Sequence, residues 1–524
     1  RHRDLLIQKA VNTLGKEFLP RCSKSFDAHA RLLKTMFFTN VMLRRLVETA
    51  VGLRPEDRHS DSRNRYLEMP GMIISNVFRQ ILKRFSDIIN EVVHRHRQPD
   101  LIREMSKNHM GNLILDTFTR GTLVVQNAAT ENSTAILYVS EINSHDMRAG
   151  VERSSAPVSS QNPNAEERLL DYTDFHMHCP FNTPDSMRIG LVRVISCADR
   201  VRGGIDTQSV TRNLATLLQE LALPLDGEDS DTALAMLRNE HGSTIFVNSN
   251  AAYVTQKPFE VLQALRSARR DGFLPQEASL YLTEEGVAVD TDPGVILAPF
   301  YVVQRAHKLL AFMDRMKRGL LTGSDGMLNA LVREGIVEFI DARELQELNV
   351  ACAWEQATAA TALNGGFCPY THVMLTPWAH YGTAMSTLPF PNNNPAPRKT
   401  YALQMQRHST GTPARDFQSR FDINFTWQLN YPQRPQSMTL NALAGRHSDY
   451  PCGQNLVMAI IPYEGFNQED AKVISRASAE RGVGHITQTR TFRCSESQDA
   501  KDPSIICNPL LLRQAGKNVR GMRD

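Results

Sequence analysis

The chain has 524 residues, of which 41% are hydrophobic and 22% charged, and a formal net charge of +3. That length exceeds what one core can organise and implies several globular domains of ordinary composition. So small a net charge excludes a wholly basic, histone-like nucleic-acid binder, and any phosphate binding must come from local clusters.

Residues 1 to 120 are helical in character. Apolar residues recur at helical spacing through LLIQKAVNTLGKEFL, ARLLKTMFFTNVMLRRLV and MIISNVFRQILKRFSDIINEVV, with basic residues opposite. The stretch from 120 to 195 is polar and rich in turns, with an exposed loop at SSAPVSSQNPNAEE. His176, His178 and Cys179 cluster there, but no second pair of ligands follows at zinc spacing, so no zinc site is expected. STIFVNSNAAYV reads as a hairpin turning at Asn248-Ser249-Asn250, and FEVLQALRSARRDGF as an amphipathic helix closed by Gly272. A basic helix over HKLLAFMDRMKRGLL follows. Eight cysteines form no Cys-x-x-Cys pair, which speaks against a disulfide framework and for a reducing compartment. No apolar run reaches the length of a membrane span and no signal peptide opens the chain. Residue 1 is Arg, inside a helical pattern, so the chain is expected to be a piece of a longer protein.

The charge pattern changes after Glu355. From Gln356 to Arg415 there is no Asp or Glu, while Arg398, Lys399, Arg407, Arg415, His372, His380 and His408 all fall within the window. This predicts a surface facing phosphate. At its centre, PFPNNNPAPRK carries four prolines and three asparagines, which should bar a regular helix before Arg398 and hold a stiff loop. Arginine suits forked contacts to phosphate oxygens.

Further on, Leu456–Ile461 reads as a short buried strand ended by Pro462 and Gly465. Asn467 is a candidate N-cap with Asp470 at the third helical position, and Gly482 suits a left-handed C-terminal cap. Glu469 and Asp470 would then lie side by side, a pair able to bind a hard cation such as magnesium. The helix dipole alone also favours acids in a first turn.

Gln454-Asn455, Gly465-Phe466-Asn467-Gln468-Glu469-Asp470 and Arg481-Gly482 resemble the G-Q-N … G-Y-N-Q-E-D … D-R-G signature of one family, the second-largest subunit of multisubunit DNA-directed RNA polymerases of eukaryotic, archaeal and large-DNA-virus type. Further matches run along the chain. They include Lys16–Pro20, with Arg21 in place of His, then Asn64, Arg65, Leu67, Glu68 and Gly71, and Thr371-His372. Others are Pro389-Phe390-Pro391, Asn394, Pro397-Arg398, Thr400-Tyr401, Met405, Gly411 and Tyr431–Pro435. Leu331–Asp341 is similar to L-x-x-x-G-V-V-E-Y-I-D. Ser144–Arg148 is similar to S-H-L-R-R, with Met147 replacing one arginine. Cys179–Ser186 is similar to C-P-A-E-T-P-E-G, with Asp185 and Ser186 replacing Glu and Gly. The departures mark a divergent member, and Met69-Pro70-Gly71 points towards a viral one.

The resemblance implies an α+β, multidomain second-largest-subunit fold with lobe and protrusion helices, fork, external domains and a mixed β hybrid-binding core. Its expected division is 1–76 lobe end, 77–119 protrusion end, 120–195 fork, 196–300 external domain 1, 301–368 external domain 2, 369–483 hybrid-binding domain and 484–524 start of the wall or flap. It implies a subunit active only with the largest subunit, holding nucleoside triphosphate and RNA–DNA hybrid during templated RNA synthesis. Asp470, with Glu469, would carry catalysis, and Asp470 would share the second magnesium of a two-metal centre held mostly by the largest subunit. Arg398 would meet the triphosphate, and Arg407, His408, Lys399, Arg148 and Gln468 the nucleic acid. Implied partners are the largest and smaller polymerase subunits, template DNA, nascent RNA and nucleoside triphosphates, with no membrane. The location would be intracellular: the nucleus in a cellular eukaryote, the cytoplasm or virion in an archaeon or virus. The alternative is a non-catalytic nucleic-acid-binding scaffold derived from the same fold. A free-standing metal nuclease fails for want of a third nearby ligand.

Overall fold

The computed structural model describes residues 9–11, 13, 18–19, 28–58, 60–95, 115, 142–156, 158, 160–161, 166–225, 230–238, 242–318, 326–412, 425–492 and 508–516. Helices and several small sheets mix along the chain, as the α+β reading expects. Among the described residues no helix is long and apolar enough to cross a membrane. The chain forms two compact units, Arg1–Tyr138 with Glu152–Gln404, and Val139–Val151 with Met405–Asp524.

In the first unit, the helix expected over LLIQKAVNTLGKEFL lies mostly outside the described residues. The second becomes Ala28–Phe37, a π-helical turn at Phe38–Leu43 and Arg44–Val51, ended by Gly52 in the left-handed conformation. The third is the helix Pro70–Arg95. The strands that follow are β1 (Arg153–Ser155), β2 (Val192–Val194), β3 (Arg200–Val201), β4 (Leu223–Pro224), β5 (Ser243–Val247), β6 (Asn250–Thr255), β7 (Ser279–Thr283), β8 (Gly286–Asp290), β9 (Ile296–Val302), β10 (Val337–Ile340), β11 (Val350–Ala351) and β12 (His372–Met374). β1 pairs with β2. One sheet runs β4-β6-β5-β8-β7, and another β10-β9-β12-β11 with β3 also on β9.

The hairpin predicted at STIFVNSNAAYV is β5–β6. Its turn is the two residues Asn248 and Ser249, since Asn250 already pairs with Val247. Both have positive φ, the signature of a type I′ turn whose twist matches the flanking strands. The helix Thr207–Leu217 and the predicted amphipathic helix, Pro258–Arg270, cover this sheet. Val210, Leu214, Val261 and Leu265 pack against Ile245, Leu280, Val287 and Val289. In the second sheet β9 is buried on both faces. Leu297 joins Phe312, Val337 and Phe339 on one side, and Ala298 and Phe300 join Met177, Ile340 and Met374 on the other.

A buried charge network ties the two sheets together. From the helix Pro258–Arg270, Arg269 reaches Glu344 at 2.7 Å and Glu338 of β10 at 3.0 Å. Arg270 meets Glu338 at 2.8 Å, and His372 of β12 contacts it at 2.6 Å. Burial alone would raise the Glu338 carboxyl, but Arg269, the His372 hydrogen bond and Arg270 hold it well below the usual range. A depressed carboxyl contributes stability that is complete above its ordinary value near 4.5 and lost as pH falls.

Replacing Arg269 by Ala leaves buried carboxylates unpaired and should cost about 3–5 kcal/mol in urea unfolding. Glu338→Gln should make the acid limb of the stability–pH curve shallower; a limb identical to the unmodified chain's would refute the role assigned to that carboxylate.

Candidate nucleic-acid interface

In the first unit the centre of the acid-free window is a 3₁₀ turn, Pro391–Asn393, after Phe390 in the left-handed region, followed by the helix Ala396–His408, whose residues from Met405 on belong to the second unit. The helix begins two residues earlier than the prolines led the sequence reading to expect. Pro397 is tolerated because a first turn needs no backbone donor there. That first turn contains no acid. Arg398 is exposed, its guanidinium 5.5 Å from the Tyr401 ring centroid. Lys399 is half-buried, with Nζ 4.4 Å over the Phe181 ring, and the Thr400 hydroxyl donates to the Phe181 carbonyl at 3.0 Å. The Cys179–Ser186 stretch therefore buttresses the start of the helix, above a small core of Cys179, Ala384, Met385 and Leu403.

Two histidines of the window do not face outward. His372 is 1% exposed because β12 lies between β9 and β11 and its imidazole is spent on Glu338. His380 packs on Phe175 and Tyr381. The nearby His178 contacts Asp174 at 3.1 Å. Burial would raise the Asp174 carboxyl, but the His178 hydrogen bond and the Arg193 charge hold it at about 2. Among the described residues no group of three or more His, Cys, Asp or Glu is placed to hold a metal ion.

In the second unit the strand predicted over Leu456–Ile461 is absent. The run is unpaired and exposed, Val457 and Ile460 almost fully. The unit's sheet is β13 (Phe425–Leu429) against β14 (Ile486–Arg490). The helix expected from Asn467 is absent too. Asn467 accepts from the Tyr463 amide and donates to the Ile461 carbonyl, so its side chain closes a turn instead of capping a helix. The short helix Arg476–Glu480 comes later, and Gly482 beyond it does adopt the left-handed conformation, with φ +103°.

Glu469 and Asp470 occupy the centre of a tight turn closed by the Ala471 amide on the Gln468 carbonyl at 2.9 Å. Their φ values are 49° and 68°, the type I′ pattern, which disfavours a long side chain such as Glu. Both carboxylates and Gln468 are exposed. The donor set, two adjacent carboxylates with no third partner among the described residues, fits a share in a cation site and not a closed one.

Motif amides anchor this stretch. Gln454 donates to the Tyr431 carbonyl at 3.0 Å and accepts from the Gly484 amide at 3.0 Å. Asn455 donates to the Arg434 carbonyl at 2.8 Å, and its amide donates to Gln433 at 2.9 Å. The Gln454-Asn455, Tyr431–Pro435 and Arg481-Gly482 motifs thus meet at one place. A Cβ at Gly482 would lie 2.5 Å from the Tyr431 ring.

Arg148 and His408 are exposed, while Arg407 is 6% exposed. Asn143, which the sequence reading missed, precedes the helix Ser144–Glu152, and its Oδ1 accepts from the Asp146 amide at 2.8 Å. An Asn ahead of a helical start is itself an N-cap signal. The Asn143 Nδ2 also faces the carbonyls of Gln406, Arg407 and Ser409 at 3.0, 3.0 and 2.6 Å. His145 stacks on His447 with centroids 4.6 Å apart. Burial first, then the His447 and Arg148 charges, push His145 down to about 4. Its ring is therefore neutral at pH 7 and accepts from the Gln406 amide at 3.2 Å.

Comparison with known proteins gives a concordant picture. Residues 384–518 match the family RNA polymerase Rpb2, domain 6. Along nearly its whole length the chain is similar to second-largest subunits of multisubunit RNA polymerases. It is 26% identical to DNA-directed RNA polymerase subunit Rpo2 of Sulfolobus acidocaldarius, over 99% of this chain and 45% of that protein. It is 25% identical to DNA-directed RNA polymerase II subunit RPB2 of Schizosaccharomyces pombe, over 95% of this chain and 43% of that protein. For DNA-directed RNA polymerase II subunit 2 of Arabidopsis thaliana the identity is 24%, over 94% and 41%. The chain thus spans less than half the length of these relatives.

Gly482→Ala combines a left-handed φ with a ring clash and should lower the second unit's stability by about 1–3 kcal/mol, read by hydrogen exchange at Gly484 and Leu429. Exchange rates unchanged at both amides would show that the close approach of Gly482 to Tyr431 is not needed.

Proposed function

We propose that the chain acts as part of the second-largest subunit of a DNA-directed RNA polymerase, contributing to an active centre completed by the largest subunit. The observation that carries this reading is the likeness to Rpo2 over 99% of the chain, together with the exposed Gln468-Glu469-Asp470 turn. Partners on this reading are the largest and smaller subunits, template DNA, nascent RNA and nucleoside triphosphates, in whichever of nucleus, cytoplasm or virion holds the template. The seven-segment division from lobe end to wall belongs to the same proposal.

Asp470, assisted by Glu469, is assigned to the second magnesium. When bound, that ion would neutralise charge on the phosphates. The turn aims both carboxylates outward at low packing cost. Arg398 meets the triphosphate, where the positive end of a helix with no acid in its first turn adds to the guanidinium charge. Lys399, Arg407, His408, Arg148 and Gln468 are assigned to nucleic acid. Arg407, being nearly buried, would make its contact from a rigid position.

The test is made in the assembled polymerase. Asp470→Asn keeps a side chain that tolerates a left-handed φ and removes the charge, so the expected loss, about 2–4 kcal/mol of transition-state stabilisation, should be seen in elongation rate with assembly intact. Unchanged rates at all magnesium concentrations would sink the assignment. Arg398→Lys should raise the KM for nucleoside triphosphates, since a point charge does not reproduce a forked donor.

Among the described residues the chain offers carboxylates for a share in one of two ions about 4 Å apart. Primer extension by the purified chain with magnesium and all four nucleotides is therefore expected to fail, and templated extension would overturn the idea of a shared centre.

A further inference from the structure

The geometry points to Asn143 as a positioning residue that locks the turn bearing Arg407 and His408 onto the start of the helix bearing Arg148. This rests on the nucleic-acid role proposed for those residues. Asn143 is fully buried and uses both ends of its amide. The oxygen caps the N-terminus of the helix Ser144–Glu152 through the Asp146 amide. The nitrogen serves the carbonyls of Gln406, Arg407 and Ser409 at the helix C-terminus, where the Gln406 carbonyl also accepts from the Ser409 hydroxyl at 2.7 Å.

The surroundings pack closely on the side chain. A Cβ at Gly411 would lie 3.2 Å from the Asn143 Cβ and 2.7 Å from that of Cys452, so the strand of chain after the helix passes directly against it. That segment is in turn held by the Leu429 amide on the Gly411 carbonyl and by the Thr412 amide on the Pro451 carbonyl. Beside it, the Gln406–His145 hydrogen bond and the His145–His447 stack make a second link between the same two elements. With only 6% of Arg407 exposed, neighbours and not solvent decide where it sits, and Asn143 is the neighbour that grips its backbone.

Asn143→Asp separates the two halves of the amide. Aspartate remains a good N-cap, but a carboxylate oxygen then faces three carbonyl oxygens and the donor is lost. The full chain, with and without this change, is examined by hydrogen exchange and by titration of a single-stranded RNA at several salt concentrations. The expected result is exchange at Thr412 and Leu429 faster by about tenfold with Asp146 and Met147 unchanged. RNA binding should weaken as much as in Arg407→Ala, and the double variant should be no worse than Arg407→Ala alone. Unchanged exchange at Thr412 and Leu429 would overturn the lock. So would losses that add in the double variant, or normal RNA binding by Asn143→Asp where Arg407→Ala binds weakly. If exchange quickens but neither variant alters RNA binding, the nucleic-acid role of the turn is what fails. Should Asn143→Asp not fold, Asn143→Ser, which also caps but cannot reach the three carbonyls, carries the same comparison.

Discussion

Arg269 is 1% exposed and stands between two buried carboxylates, Glu338 and Glu344. A buried guanidinium is costly unless its charge is paired, and here the partners of its two terminal nitrogens come from different elements: the edge strand β10 and the helix Ala342–Leu345. The helix that carries Arg269 covers one sheet while its charges engage another, so the two cores of the first unit share a boundary condition. His372 is drawn into the same network, and through β12 it pins the acid-free stretch to the sheet ahead of Arg398.

The second unit is organised differently. Its defining contacts are neutral amides reaching across loops: Gln454, Asn455, Asn467 and Asn143, each meeting backbone groups of a distant segment or turn. Such bonds contribute little each, on the order of 1 kcal/mol, but a backbone group buried without one costs more. Positive φ at Glu464, Glu469 and Asp470 accompanies this economy of regular structure, since tight turns replace strand and helix between Ile461 and Arg476.

Much of the first unit was legible in the sequence. Helical periodicity found Pro258–Arg270 and Pro70–Arg95, and the Asn-Ser turn found β5–β6, because in each case local preference and burial agree. In the acid-free window Arg398 is exposed, as a phosphate-facing surface requires, while His372 is buried: composition counts charges but not the face of a strand, and an interior strand turns a histidine towards a buried acid. The error over Leu456–Ile461 has the same root. An apolar run has the composition of a buried strand whether or not a neighbouring strand pairs with it. Asn467 looked like a cap because capping and turn closure draw on the same short amide. Asn143 went unnoticed because its three carbonyl partners lie more than 260 residues away in the chain.

The clasp formed by Gln454 has a consequence for how the stretch beyond it can change over time. Gln454, bonded to the Tyr431 and Gly482 carbonyls and to the Gly484 amide, brings residues 454 and 484 together at the base of the stretch. The intervening segment therefore behaves as a cassette whose two ends are already joined. Lengthening a closed loop costs little, about 0.6 kcal/mol for each doubling. Its interior, including the turn with Glu469 and Asp470, can be rewritten, extended or exchanged between relatives as a module while the frame that holds it stays as it is.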